Sequence, residues 1–313
     1  MSQLYERMAV IGCGLIGSSV VRAAREKGAV REIVVSDASE AVRERVEALG
    51  FADRVVTEAA EAVQGADLVV FATPVLAVAG AMKAAARALA PGATVTDVGS
   101  VKGAVAEALT AAAPDGVHVI PGHPIAGAEH SGPDAGLAEL FEGRWVILTP
   151  RENAGDVAYA AAVERLSAFW QALGAQVDTM DEKHHDLVLA VTSHLPHLIA
   201  YNIVGTADDL ETVTQSEVIK YSASGFRDFT RLAASDPTMW RDVCLHNKDA
   251  ILEMLARFSE DLASLQRAIR WGDGDKLFDL FTHTRAVRRS IIEAGQEIDA
   301  PDFGRQAVEH PKG

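Results

Sequence analysis

The run Gly12-Cys13-Gly14-Leu15-Ile16-Gly17 lies directly between an apolar stretch, Met8 to Gly12, and a helical pattern running through Val21 and Ala24. No other feature constrains the chain as strongly. In a strand–glycine loop–helix unit the first glycine permits a tight turn and the second lets the backbone approach a pyrophosphate. The third allows close helix–strand packing, and the helix N-terminus presents N–H groups and positive potential to an anion. A second element agrees in spacing. Asp37 closes the next apolar run, 20 residues beyond Gly17, where a carboxylate accepts hydrogen bonds from both hydroxyls of an adenosine ribose. A 2′-phosphate would be repelled there, and Ala38-Ser39 offers it no arginine, although Arg43 lies one helical turn further on. NAD is therefore the expected cofactor, held by Gly12, Gly14, Leu15, Ile16, Gly17 and Asp37. The competing role for Asp37 is to cap the following helix. Cys13 reads as a small filler in the loop. Thr73-Pro74 ends another apolar run, at the strand end where open sheets place ligands, and is expected to border the cofactor.

Around this loop the chain has two grammars. Through about residue 179, short apolar runs alternate with Ala-rich helical stretches: Met8 to Gly12, Ile33 to Ser36, Asp67 to Thr73, Thr94 to Asp97, His118 to Pro121 and Trp145 to Thr149, with Gln176 to Asp178 as a last candidate. Near-continuous apolar runs of this kind indicate strands buried on both faces, hence a doubly wound parallel sheet of the Rossmann type over residues 1–179. From Glu182 onward apolar residues recur at helical spacing, as in Ile251, Met254, Leu255, Phe258, Leu262 and Leu265. The fold class is thus α/β followed by all-α, with a helical substrate-binding and dimerisation domain over residues 180–313. Ser235-Asp236-Pro237 reads as a helix start, with Ser235 as the cap and the proline in the first turn.

Composition excludes several classes of function. A formal charge of −15 over 313 residues argues against nucleic acid or an anionic membrane surface, either of which needs a concentrated basic face. No stretch reads as approaching the ~20 consecutive apolar residues of a membrane span, and the N-terminus has no signal-peptide pattern. Cys13 and Cys244, the only cysteines, suit a reducing compartment. The expectation is a cytoplasmic protein.

The chemistry-bearing residues fall at strand ends. Asp97-Val98-Gly99-Ser100-Val101-Lys102 follows one strand and leads into a helix, with Ser100 open to two roles, capping and chemistry. Lys102 reads equally as a solvated helix residue. The next strand delivers Gly122-His123-Pro124-Ile125-Ala126-Gly127-Ala128-Glu129-His130-Ser131-Gly132, a constrained loop carrying His and Glu, which fits a reaction site better than a solvent-exposed connection.

With the glycine loop, Asp97 to Lys102, His123 to Gly132, Ser193-His194-Leu195-Pro196-His197 and Gly225-Phe226-Arg227-Asp228-Phe229-Thr230-Arg231 leading to Trp240, the chain resembles the prephenate/arogenate dehydrogenase family over most of its length. The resemblance implies NAD-dependent oxidative decarboxylation of a cyclohexadiene dicarboxylate, prephenate or arogenate, on the route to tyrosine. It also implies a homodimer. It assigns His123 to the ring hydroxyl, a role that neutral imidazole suits, and sets Ser100 beside it, at the edge of the cofactor site. His197 would meet the ring carboxylate and Arg231 the side-chain carboxylate. Glu129 and Asp228 would form a polar network at the mouth, and Trp240 a wall. Ser224 and Ala128 depart from the commoner family pattern and leave the keto and amino substrates both open. No appended regulatory or mutase domain is expected.

Other readings are available. His184-His185-Asp186 with His194 and His197 could suggest a metal site, but Pro196 separates the latter pair and no clear third ligand offers itself; no metal is expected. A β-hydroxyacid or 6-phosphogluconate-type dehydrogenase would use a helical lysine, for which Lys248 beside Asn247 is the candidate. A non-catalytic NAD sensor would keep the fold alone.

Overall fold

The computed structural model describes residues 3–127, 130–152, 155–209 and 223–293. Six strands form one all-parallel sheet: β1 (Tyr5–Ile11), β2 (Val30–Ser36), β3 (Arg54–Val56), β4 (Leu68–Phe71), β5 (Thr94–Asp97) and β6 (His118–Val119), in the order β3-β2-β1-β4-β5-β6. The order reverses between β1 and β4, and the crevice outside the carboxyl ends of these two strands is where a doubly wound sheet binds ligands. Both ends open directly onto the sequence's candidate loops, Gly12–Gly17 after β1 and Thr73-Pro74 after β4.

Alternation along β1 explains why the sheet is buried on both faces. Met8 and Val10 join an apolar cluster with Val21, Phe169 and Trp170, whereas Ala9 and Ile11 join a second with Val69, Phe71, Met82 and Leu109. The helices that supply these faces are α1 (Leu15–Glu26), α2 (Glu40–Leu49), α3 (Ala59–Ala62), α4 (Val75–Ala85), α5 (Gly103–Ala112) and α6 (Val157–Ala172). The glycines between β1 and α1 are sterically required. Gly12 sits at φ 94°, where an added Cβ would lie 2.6 Å from the carbonyl oxygen of Ala72, and a Cβ on Gly17 would strike the carbonyl oxygen of Gly12.

Three sequence expectations are corrected here. Trp145–Leu148 (β8) and Gln176–Thr179 (β9) do not extend the parallel sheet. They form a separate three-stranded sheet with β7 (Gly122–Pro124), in which β7 and β8 run antiparallel. His123 therefore lies on a strand, not in a loop; the Gly-Pro content that suggested a loop reflects the close approach described below. Arg54–Val56 was not anticipated, being too short to stand out.

Beyond β9 the secondary structure among the described residues is helical: α7 (Glu182–Leu189), a π-helical turn at Ala190–His194, α8 (Leu195–Asp208), α9 (Ser224–Thr230), a 3-10 turn at Arg231–Ala234, α10 (Pro237–His246), α11 (Lys248–Trp271) and α12 (Gly274–Glu293). The start of α10 also differs in detail from expectation. Asp236 is the cap, accepting from the N–H of Thr238 and Met239 at 2.8 and 2.9 Å, while the Ser235 hydroxyl donates to Leu232 O. Contrary to the sequence reading, the continuous helix Glu182–Asp208 is long and apolar enough to cross a membrane by length and composition. Its buried members include His185, Asp186 and His194, polar groups that have partners within the fold. The chain divides into two compact units, Met1–Met254 and Leu255–Gly313, the division falling within α11. In the second unit, Asp273 caps the start of α12 by accepting from Lys276 N at 3.1 Å.

Phe141, Phe169 and Trp170, all fully buried, meet edge to face with centroids 5.3 and 5.6 Å apart. Trp170→Ala should lower the unfolding free energy by ~3–5 kcal/mol, measured by guanidinium titration of circular dichroism.

Candidate active site

The cofactor side of the site is built from strand ends and one helix N-terminus. Gly14 occupies the cap position of α1 without any side-chain cap, no acidic residue lies in the first turn, and a Cβ at Gly14 would point into open space. The first-turn N–H groups are thus left to a ligand, which is the cradle an incoming pyrophosphate requires. Leu15 and Ile16 are half-buried on this turn. Across the crevice the Thr73 hydroxyl is buried with no hydrogen-bond partner among the described residues, and Pro74 takes the cap position of α4. The Asp37 carboxylate accepts from Cys13 N at 2.8 Å and Ser39 N at 2.9 Å, so it braces the glycine loop at the tip of β2. It is not the cap of α2: Ser39 is, accepting from Val42 N. Arg43 turns back onto the carbonyls of Asp37 and Ala38, at 2.7 and 3.1 Å. Burial pushes the Cys13 thiol up to about 12, with Asp37 adding to the effect; the residue is inert filler, as its loop position suggests. These residues fit a dinucleotide.

The chemical side is organised by a fully buried ion pair between Lys102 and Asp97. Asp97, at the end of β5, also accepts from Gly99 N at 2.7 Å and Gly122 N at 3.1 Å, and Lys102 Nζ donates to Gly122 O at 2.6 Å. Gly122 is thus held on both its backbone groups. A Cβ there would crowd Asp97 O and Thr96 Oγ1 at 3.1 Å and a Leu148 methyl at 3.2 Å. Glycine lets β7 come this close. The next residue, His123, is 7% exposed. Its Nδ1 lies 2.9 Å from Nε2 of His185, whose own Nδ1 lies 2.9 Å from Oδ1 of Asp186. Asp186 in turn accepts from the first backbone N–H groups of α5, Lys102 N at 2.8 Å and Gly103 N at 2.9 Å.

The electrostatics follow from burial. Desolvation holds His123 well below the usual histidine range, and His185, Lys102 and His194 push in the same direction. Burial also lowers His185, more than the Asp186 hydrogen bond raises it. For Asp186, burial alone would raise the carboxyl, but the hydrogen bonds from His185, Lys102 N and Gly103 N outweigh it and keep the group ionised. Burial lowers Lys102, against the pull of Asp97.

On the helical side, Pro196 has no N–H to continue the i→i−4 ladder, and Leu195 N–H instead closes a π turn onto Ala190 O. His194 and His197 both meet Trp240: His197 stacks on it with centroids 3.8 Å apart and His194 approaches edge-on at 5.9 Å. Trp240, 8% exposed, packs on Val101 beside Ser100, and its Nε1–H has no partner among the described residues. Asn247 secures His194 by donating to its Nδ1 at 3.1 Å and to Asp186 O at 2.8 Å. Desolvation pushes His194 down to about 4. His197 is also lowered, by burial first and then by the Arg231 guanidinium, against its hydrogen bond to Ser193 O. Arg231 is exposed at the start of the 3-10 turn, and Asp228 is half-buried on α9.

The structure therefore brings His123, Lys102 and Asp97 together, and separately His197, Trp240 and Arg231. Ser100 is half-exposed in the turn before α5 and makes no hydrogen bond to His123; nor does it cap α5, whose cap position is Lys102. The reading of Lys102 as solvated is overturned, since the side chain is fully buried. Glu129 and Ala128 lie outside the described residues. Sequence reasoning missed the parts played by His185, Asp186 and Asn247. The signal available was a His-Asp pair at consecutive positions near a helix start, which resembles ordinary helix-start polarity.

Residues 20–179 match the family described as prephenate dehydrogenase, nucleotide-binding domain, and residues 181–283 match prephenate dehydrogenase, dimerization domain. The chain is 40% identical over 288 residues to the cyclohexadienyl dehydrogenase of Zymomonas mobilis, covering 92% of this chain and 97% of that protein. It is 32% identical to the prephenate dehydrogenase of Bacillus subtilis, over 93% of this chain and 77% of the other. Among solved structures it superposes on prephenate dehydrogenase from Aquifex aeolicus in complex with hydroxyphenyl propionate and NAD+, with a TM-score of 0.84, 31% identity, and coverage of 93% of this chain and 99% of that one. Synechocystis arogenate dehydrogenase follows with a TM-score of 0.77, 25% identity, and coverage of 91% and 99%.

The buried histidines make the fold acid-labile. A histidine whose folded pKa is depressed is neutral in the folded state while the unfolded chain takes up a proton, so stability falls as pH drops through the unfolded value. For His194 this window runs from 6.5 down to about 4, and it accounts for up to about 3 kcal/mol at ~1.36 kcal/mol per unit. Guanidinium midpoints should fall steadily across that window; a flat profile would contradict the burial of these rings as neutral groups.

Proposed function

The chain belongs to the prephenate dehydrogenase family, and we propose that it uses NAD to oxidise and decarboxylate prephenate, arogenate or both, giving 4-hydroxyphenylpyruvate or tyrosine. The observation that carries this reading is His123: buried, neutral, clamped through Gly122, and hydrogen-bonded among the described residues only at Nδ1. Its Nε2 is thereby kept for a substrate.

The reaction asks little net proton chemistry of the protein. Prephenate dianion and NAD+ become a monoanion, CO₂ and NADH, with no proton gained or lost overall. The nicotinamide of bound NAD supplies the hydride acceptor. His123 takes the hydrogen of the C4 hydroxyl as hydride leaves that carbon, and returns it to the phenolic oxygen when the C1–carboxylate bond breaks and its electron pair enters the ring. A base with a depressed pKa suits this loan, because it does not retain the proton. Asp37, the Gly12–Gly17 turn, Thr73 and Pro74 hold the dinucleotide, with Ser100 between cofactor and substrate. His197, stacked on Trp240, and Arg231 bind the two carboxylates, and Asp228 with Glu129 tempers the positive charge at the mouth. Arogenate's amine would find its partner among these carboxylates.

Residues 1–179 form the dinucleotide-binding domain and residues 180–313 the substrate-binding and dimerisation domain of a cytoplasmic homodimer. The dimerization-domain match and the exposed apolar side chains of Trp271, Phe278, Phe281 and Ile291 support the dimer. The 6-phosphogluconate-type alternative has less support: its candidate Lys248 is exposed, while the adjacent Asn247 is committed to Asp186 and His194.

Initial-rate NADH formation with prephenate and with arogenate, each with NAD and NADP, tests the proposal, and turnover of neither substrate would overturn it. His123→Asn should lower kcat by ~10²–10⁴-fold with NAD affinity nearly unchanged. Arg231→Leu should act mainly through KM, costing about 10–100-fold in kcat/KM for a lost charged hydrogen bond.

A further inference from the structure

The proposed role of His123 leaves unexplained the buried chain of groups behind it. Oδ1 of Asp186 can only accept, so the proton shared at 2.9 Å belongs to Nδ1 of His185. The neutral His185 ring then has a bare Nε2, and the 2.9 Å contact with His123 requires His123 to be the donor through Nδ1–H. A neutral His123 so protonated carries its lone pair on Nε2. We propose that His185 and Asp186 are positioning residues that lock His123 in the tautomer able to accept the substrate's hydroxyl proton, and that they stabilise the imidazolium formed during the hydride step.

Three observations support this role over simple structural filling. His185 is fully buried, and both its ring nitrogens are committed in one direction along the chain. Asp186 does not move freely: its two oxygens are fixed by Lys102 N and Gly103 N, its own carbonyl by Asn247. Finally, the groups facing the chain are arranged so that His185 stays neutral. Lys102 and Asp97 face it from the β5–α5 segment, and Glu182 and His194 flank it on the Glu182–Asp208 helix. Lys102 and burial disfavour a second proton on either ring. When the substrate proton reaches Nε2 of His123, the added charge sits one ring from a carboxylate, which compensates it without taking the proton. No oxidant or further co-reactant enters this step.

The inference rests on the dehydrogenase reading, and its test has an arm that does not. Long-range ¹H–¹⁵N correlation of the [¹⁵N]histidine-labelled whole protein, without substrate, should show both His123 and His185 as Nδ1–H tautomers near neutral pH. An Nε2–H tautomer at His123 would overturn the proposal whatever the enzyme acts on. In Asp186→Asn an amide can donate to Nδ1 of His185, reversing the polarity of the chain. His123 should then appear as Nε2–H, and kcat should fall by ~10²–10⁴-fold with KM and NAD affinity little changed. Because Asp186 also holds the start of α5, a second pair avoids it. His185→Gln keeps a carbonyl acceptor for His123 and should retain kcat to within ~10-fold, whereas His185→Leu should lose ~10² or more. Equal kcat in those two variants, or wild-type kcat in Asp186→Asn, would reduce His185 and Asp186 to structural residues. Absence of turnover in the wild type, with the tautomers as expected, would instead count against the reaction assigned.

Discussion

The buried Lys102–Asp97 pair is the interaction on which the rest of the site depends. It joins three pieces of chain that would otherwise end independently: the tip of β5, the start of α5 and the first residue of β7. Removing two charges from water is costly, and the cost is offset in part by further hydrogen bonds, from Gly99 N and Gly122 N to the carboxylate and from the ammonium to Gly122 O. Loss of either partner would leave the other as an uncompensated charge in the interior, a penalty of ~3–5 kcal/mol in comparable pairs. A hydrophobic pair could fill the space equally well but would not fix Gly122 in direction. The ion pair is therefore better understood as an aiming device for His123 than as a source of stability.

The cofactor side depends on a different constraint, the reversal of strand order between β1 and β4. Helices leave those two strands in opposite senses, so the crevice between their carboxyl ends is open by topology. The glycine loop and the Thr73 hydroxyl line it because they directly follow β1 and β4. Asp37 reaches the same crevice from β2 and spends part of its carboxylate on Cys13 N and Ser39 N. Those bonds stiffen the loop in advance of any ligand, which lowers the ordering cost of binding there.

How much of this could be read from residues alone follows from the range of the interactions. The glycine loop, Asp37 and the parallel strands were legible because their signals are local: spacing, apolar runs, and a turn that tolerates only glycine. The boundary of the sheet was not, because β8 is as apolar as the strands of the main sheet; only long-range pairing with β7 on one side and the more polar β9 on the other separates it. Lys102 looked solvated because a lysine before a helix usually is, and its burial depends on Asp97 five positions earlier and Gly122 twenty positions later. Ser235 was read as a cap from residue preference and Ser100 was left open between capping and chemistry, yet Asp236 caps the one helix and the remote Asp186 supplies the acceptor for the other. His185 and Asp186 carry only the weak local signal of a His-Asp pair near a helix start, since their meaning arises when α7 packs across the start of α5.

That packing also explains why His123 sits where it does. β6 ends at Val119 and β7 begins at Gly122, so His123 lies where the parallel sheet hands the chain to the mixed one, with Thr149 N bonded to Pro121 O across the junction at 2.9 Å. A residue on the parallel sheet itself would be enclosed by helices on both faces, and one on a free loop would lack a fixed direction. On β7 one side of His123 meets the ion pair and β8 while Nδ1 meets the helix carrying His185. The same helix continues through the π turn to His197 and the Trp240 stack. A single element thus supports His123 at one end and carries His197 of the Trp240 stack at the other, and the spacing between them is set by helix geometry rather than by loop conformation.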